Sequence, residues 1–127
     1  MGGRPPTSRT FQKVRSGEFQ DIYRTGSKAV GKLLILFFSE REENFSFAVV
    51  ASRKTGNAVQ RNRSKRLLRE AFREHSGGPM KAGAYVLVAR RPLRDENLAP
   101  VAGELKKLLT RLELISDPST SRNGNGI

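Results

Sequence analysis

The feature that most restricts this chain is a long amphipathic helix over residues 57–75. At about 100° per residue, Gln60, Ser64, Leu67, Leu68, Ala71, Phe72 and His75 fall on one face. Asn62, Lys65, Arg66, Arg69 and Arg73 fall on the other. Asn57 after the Gly56 turn is a good N-cap, and Gly77, Gly78 and Pro79 break the chain beyond the helix. An apolar stripe of this length has to be covered by another layer.

The rest of the chain supplies that layer. Residues 32–39 form a dense Ile, Leu and Phe run bounded by Gly31, too short for a good helix. Residues 45–52 are rich in Val and Phe, and residues 84–90 contain Tyr-Val-Leu-Val. All three read as strands, the charged residues 40–44 as a turn, and a further short strand fits near 27–31. Two more helices flank them. Ser16 is the expected cap of the first, with Phe19, Ile22 and Tyr23 at i, i+3 and i+4 and Gly26 as its stop. The last carries Leu98, Val101, Ala102, Leu105, Leu108, Leu109 and Leu112, with Pro100 tolerated in its first turn. The expected class is α+β, in the order helix–strand–strand–strand–helix–strand–helix, with helices backing a sheet. Residues 11–115 make one domain, framed by tails at 1–10 and 116–127 whose composition favours disorder.

Charge narrows the function. The chain has 24 Lys+Arg against 12 Asp+Glu, a net charge of +12, which points to a polyanionic partner. Between Ser52 and Glu70 stand Arg53, Lys54, Arg61, Arg63, Lys65, Arg66 and Arg69, with Glu70 the one acid. Like charges one helical turn apart destabilise an isolated helix, and solvated helices normally mix signs. A phosphate backbone offsets that cost by releasing its counterions.

Other classes are disfavoured. Without cysteine there is neither a disulfide nor a thiolate metal site. The longest apolar run, residues 33–38, is far short of the roughly 20 residues that cross a bilayer. Residues 1–8 do not resemble a signal peptide, so a soluble, cytoplasmic protein is expected. Metal-dependent phosphodiester cleavage wants converging carboxylates. Glu40, Glu42, Glu43, Asp95 and Glu96 stand in loops without an Asp-x-Asp or Asp-x-Glu arrangement at a strand end. His75, the only histidine, suits packing or C-capping better than general-base work.

The stretch Lys54-Thr-Gly-Asn-Ala-Val-Gln-Arg-Asn-Arg-Ser-Lys-Arg-Leu-Leu-Arg-Glu-Ala-Phe72 resembles the signature of the bacterial ribonuclease P protein family. Phe19-Gln-Asp-Ile-Tyr-Arg-Thr-Gly26 resembles that family's first-helix motif, and Ala89-Arg-Arg-Pro92 the end of its last strand. The likeness covers roughly residues 11–112. It implies a fold like a ribosomal-protein domain, with a left-handed crossover around the basic helix, where general rules favour the right hand. It also implies a division of labour in which an RNA subunit is the catalyst and Mg²⁺ is held mainly by RNA. The expected contacts to that RNA are Arg61, Asn62, Arg63, Lys65, Arg66 and Arg69. The 5′ leader of precursor tRNA is expected on Phe19, Tyr23 and Phe37, with Arg53 and Lys54 at the rim. Phe37 stands where the family commonly has Tyr, which keeps a stacking surface and removes a hydroxyl. No DNA or membrane partner is expected. A ribosomal or general RNA-binding protein would share the charge but owe nothing to the Gly-Asn-x-x-x-Arg-Asn-Arg spacing. A helix-turn-helix DNA regulator would need a helix packed before the basic one, where this chain has a strand and a turn.

Overall fold

Alternation along three strands generates a sheet with two different faces, and this asymmetry positions everything else. The computed structural model describes residues 10–115; residues 1–9 of the first expected tail, and all of the second, lie outside them. Five strands, β1 (Gln12–Lys13), β2 (Ser27–Val30), β3 (Leu34–Glu40), β4 (Phe45–Val50) and β5 (Gly83–Ala89), form one sheet in the order β1-β4-β5-β3-β2. The helices are α1 (Phe19–Thr25), α2 (Ala58–Ser76) and α3 (Leu98–Arg111). β5 is central, antiparallel to β3 and parallel to β4, so α2 is the crossover between parallel neighbours.

On one face, Leu34, Leu36, Phe38, Tyr85 and Leu87 meet Leu67, Leu68, Ala71 and Phe72 of α2 and Val101, Leu105, Leu108 and Leu109 of α3. Leu34, Leu36, Leu68, Leu87 and Leu105 are fully buried, each worth about 1.5–3 kcal/mol of transfer free energy. The other face carries Ile35, Phe37, Ala48, Val50, Ala84, Val86 and Val88. Among the described residues it is covered by the short α1, through the buried Ile22, with Val14 of the preceding segment packed into the same cluster. Ile35, Ala48, Val50 and Val88 stay half-exposed.

Several sequence expectations need correction. The two-residue β1, paired in parallel with Ser46 and Phe47, has no pattern of its own to betray it. The expected early strand is β2, paired with β3. Ser16 does not cap α1; it starts a 3-10 turn (Ser16–Glu18), and the Glu18 carboxylate accepts the Arg15 N–H at 3.0 Å. Gly26 does end α1, in extended conformation, because a Cβ there would lie 2.6 Å from the carbonyl oxygens of Ile22 and Phe38. Gln60 is a cap and not core: its amide oxygen accepts the Asn57 N–H while Asn57 Oδ1 accepts the Gln60 N–H, both at 2.9 Å. Two further 3-10 turns, Arg53–Thr55 and Arg91–Asp95, bracket the start of α2 in space.

One long-range polar clamp was invisible in the sequence. Glu104 on α3 accepts N–H bonds from Lys32, Leu33 and Leu34 at 3.2, 2.7 and 3.0 Å, fixing the β2–β3 turn.

Candidate RNA interfaces

The start of α2 is held by arginines, two of which, Arg61 and Arg63, are among the expected contacts to RNA. Arg61 donates to the Gly56 carbonyl at 2.8 Å. Arg63 donates to the carbonyls of Arg94 and Glu96, the latter at 2.8 Å. Arg94 in turn donates to the Thr55 carbonyl at 2.8 Å and to Gln60 Oε1 at 3.3 Å. Gly56 is required here: its φ of 142° disfavours any other residue, and a Cβ would lie 2.1 Å from Gln60 Oε1. The Arg-Asn-Arg motif is thus partly a brace between the turn before α2 and the turn after β5. A guanidinium has five N–H donors, so both arginines keep some for a ligand.

The remaining cations of the set are free. Asn62, Arg66 and Arg69 are exposed and Lys65 half-buried. Among the described residues, the side chains of Lys65, Arg66 and Arg69 have no hydrogen-bond or ion-pair partner. Together with Val59, a 77% exposed apolar residue that the sequence reading passed over, they line one continuous surface.

The aromatic set comes together on the other face of the sheet. Phe19 and Tyr23 lie one helical turn apart with ring centroids at 6.0 Å, and Tyr23 meets Phe37 edge-on at 4.7 Å. The three differ in availability: Tyr23 is 40% exposed, Phe19 half-buried and Phe37 only 9% exposed. Phe37 therefore supports the Tyr23 ring more than it offers a face of its own. Partial burial pushes the Tyr23 phenol pKa up from its ordinary value, by desolvation. Lys28 Nζ sits 5.8 Å from the Phe37 centroid, a cation that strand register could have suggested, since Lys28 pairs with Phe37. Arg53 and Lys54 are exposed in the 3-10 turn that links β4 to α2, between the two surfaces in sequence.

Among the described residues no three His, Cys, Asp or Glu side chains gather as a metal site. His75 Nε2 lies 3.1 Å from the Ala102 carbonyl of α3, a structural contact. No helix among those residues is long and apolar enough to cross a membrane.

Residues 9–113 match the family model of ribonuclease P. A ribonuclease P protein component from Oceanobacillus iheyensis is 37% identical over 104 residues, 80% of this chain and 83% of that protein. One from Clostridium botulinum is 31% identical over 123 residues, 91% of this chain and 98% of that protein. The structure of the RNase P protein from Thermotoga maritima superposes with a TM-score of 0.70 at 27% identity, covering 80% of this chain and 98% of that one. An arginine-braced basic helix and a half-covered sheet face thus occur on a chain that matches over nearly its whole domain: it belongs to the bacterial ribonuclease P protein components, the protein subunits of the ribonucleoprotein enzyme that processes tRNA 5′ ends.

Proposed function

We propose that the exposed face of α2 binds the catalytic RNA subunit, while the open face of the sheet holds the 5′ leader of precursor tRNA. The observation that carries this reading is the segregation of the cations. Arg61, Arg63 and Arg94 are anchored to backbone carbonyls, whereas Lys65, Arg66 and Arg69 have no side-chain partner among the described residues and share one surface, which Arg63 also borders. Phosphates are the ligands that such a surface suits, and Asn62 adds a neutral donor and acceptor.

Leader binding rests on Tyr23. Its ring is propped by Phe19 and Phe37 on the face that carries half-exposed Ile35, Val50 and Val88, and Lys28 supplies positive charge over Phe37; Arg53 and Lys54, exposed in the turn after β4, are assigned to the rim. Single-stranded RNA is held by base stacking within a basic groove. The leader is a single strand; mature tRNA has none.

In this reading the RNA subunit performs the cleavage in the cytoplasm. In the same reading Mg²⁺ is held mainly by RNA phosphates. The protein's part is to orient the leader and to neutralise phosphate charge. The test is to isolate the protein from its native cells and sequence the RNA bound to it. One structured non-coding RNA is expected; recovery of ribosomal RNA or DNA instead would contradict the assignment.

A further inference from the structure

We infer that a groove between β1 and α2 receives an unpaired nucleotide of the RNA subunit, with its base against an aromatic wall and its phosphate on Arg69 and Arg73. This rests on the reading that α2 faces that RNA. The groove has a volume of about 520 Å³, within the roughly 300–1,000 Å³ typical of ligand sites. It exists because β1 stops at Lys13: among the described residues β4 has no strand partner on that edge beyond Phe47, and the chain turns away.

Its floor is apolar. Phe47 and the buried Phe72 stack at 4.0 Å with an 11° interplanar angle, Phe11 meets Phe72 edge-on at 5.2 Å, and the half-buried Phe11 and Phe47 are the rings left to face the groove. Its charge is of one sign: among the described residues Lys13, Arg69 and Arg73 line it and no acidic residue does. Neither arginine side chain has a partner among the described residues, although Glu70 and Glu74 share the helix. An apolar floor ringed by cations suits a base with its phosphate, since stacking tolerates any base and the cations take the backbone.

The same geometry selects the RNA subunit over the leader. Arg69 lines both this groove and the basic face of α2, so the two surfaces are continuous. The Tyr23 ring packs on β3, separated from β1 in the sheet by β4 and β5. The site therefore extends the RNA-subunit footprint past the end of the Arg-Asn-Arg motif and around the sheet edge.

The chain has no cysteine, so Gln12→Cys, at the exposed lip of the groove, carries a photo-crosslinker at one defined position. The holoenzyme is reconstituted with its RNA subunit and precursor tRNA and then irradiated. A crosslink to one unpaired nucleotide of the RNA subunit is expected, and Lys107→Cys, exposed on α3, should not give it. Independently, unlabelled Arg73→Ala should bind the RNA subunit about tenfold more weakly, the usual scale for a charge-assisted phosphate contact. Crosslinks to the leader, to residues 116–127 of the protein itself, or to nothing in a holoenzyme that assembles and cleaves normally would overturn the inference. So would unchanged affinity of Arg73→Ala. Failure of the wild-type protein to bind the RNA subunit would instead sink the parent reading.

Discussion

Helix α2 runs 19 residues and displays its cations from a frame of capping side chains and buried leucines, whereas α1 runs 7 residues and displays one tyrosine. Isolated helices shorter than about 12–15 residues are marginal in water. α1 therefore depends on Ile22 packing into the sheet and on the Gly26 N–H reaching the Ile22 carbonyl. On the proposed reading the two surfaces also differ in force. Binding through the α2 cations should weaken with salt, whereas stacking on the α1 ledge should respond little. If the two surfaces take the RNA subunit and the leader as proposed, neither contact has to compromise the other.

The largest effect is expected on the charged side. Replacing both Arg66 and Arg69 by Ala should weaken binding to the RNA subunit by roughly 100-fold, since each loses a contact to phosphate. The slope of log affinity against log salt should become shallower by about 0.7–0.9 per phosphate lost. Stability of either single variant should stay within about 0.5 kcal/mol of wild type, because both side chains are exposed and have no partner among the described residues. A normal slope in filter-binding titrations would show that phosphates lie elsewhere.

Arg63→Met sharpens the contrast between brace and ligand. It deletes two bonds to backbone carbonyls between α2 and the turn after β5, so it should destabilise the fold by about 2–3 kcal/mol in urea denaturation. If it costs affinity and no stability, the brace is not structural. Glu104→Gln should cost less, about 1–2 kcal/mol: the amide nitrogen cannot accept, and one or more of the Lys32, Leu33 and Leu34 N–H groups loses its partner. An unchanged midpoint would remove the clamp from the account.

How far the sequence reveals this arrangement depends on the range of the interactions. The apolar stripe of α2, its Asn57 cap and the cationic face follow from local spacing, and all three are present. The Phe19–Tyr23 pair is legible for the same reason, being one turn of helix. What is not legible depends on distant partners. Arg63 binds carbonyls 31 and 33 residues away and Glu104 reaches back 70 to 72, and nothing near either residue signals this. β1 is two exposed residues, an edge strand only because β4 is there to pair with it. The burial of Phe37 depends on α1 folding over it, which strand alternation leaves open because it assigns a face without saying how much of that face is covered.

The central claim, that Tyr23 reads the leader while α2 holds the RNA subunit, is tested most directly by Tyr23→Ala in the reconstituted holoenzyme. The measurement is affinity for precursor tRNA and for mature tRNA, with thermal stability recorded alongside. Stacking one base is worth roughly 1–3 kcal/mol, so precursor affinity should fall by about 5- to 150-fold. Mature tRNA affinity, the salt slope for RNA-subunit binding and the melting temperature should all change little, since Tyr23 is 40% exposed. Equal losses for the two tRNAs, or a large loss of stability, would contradict the account.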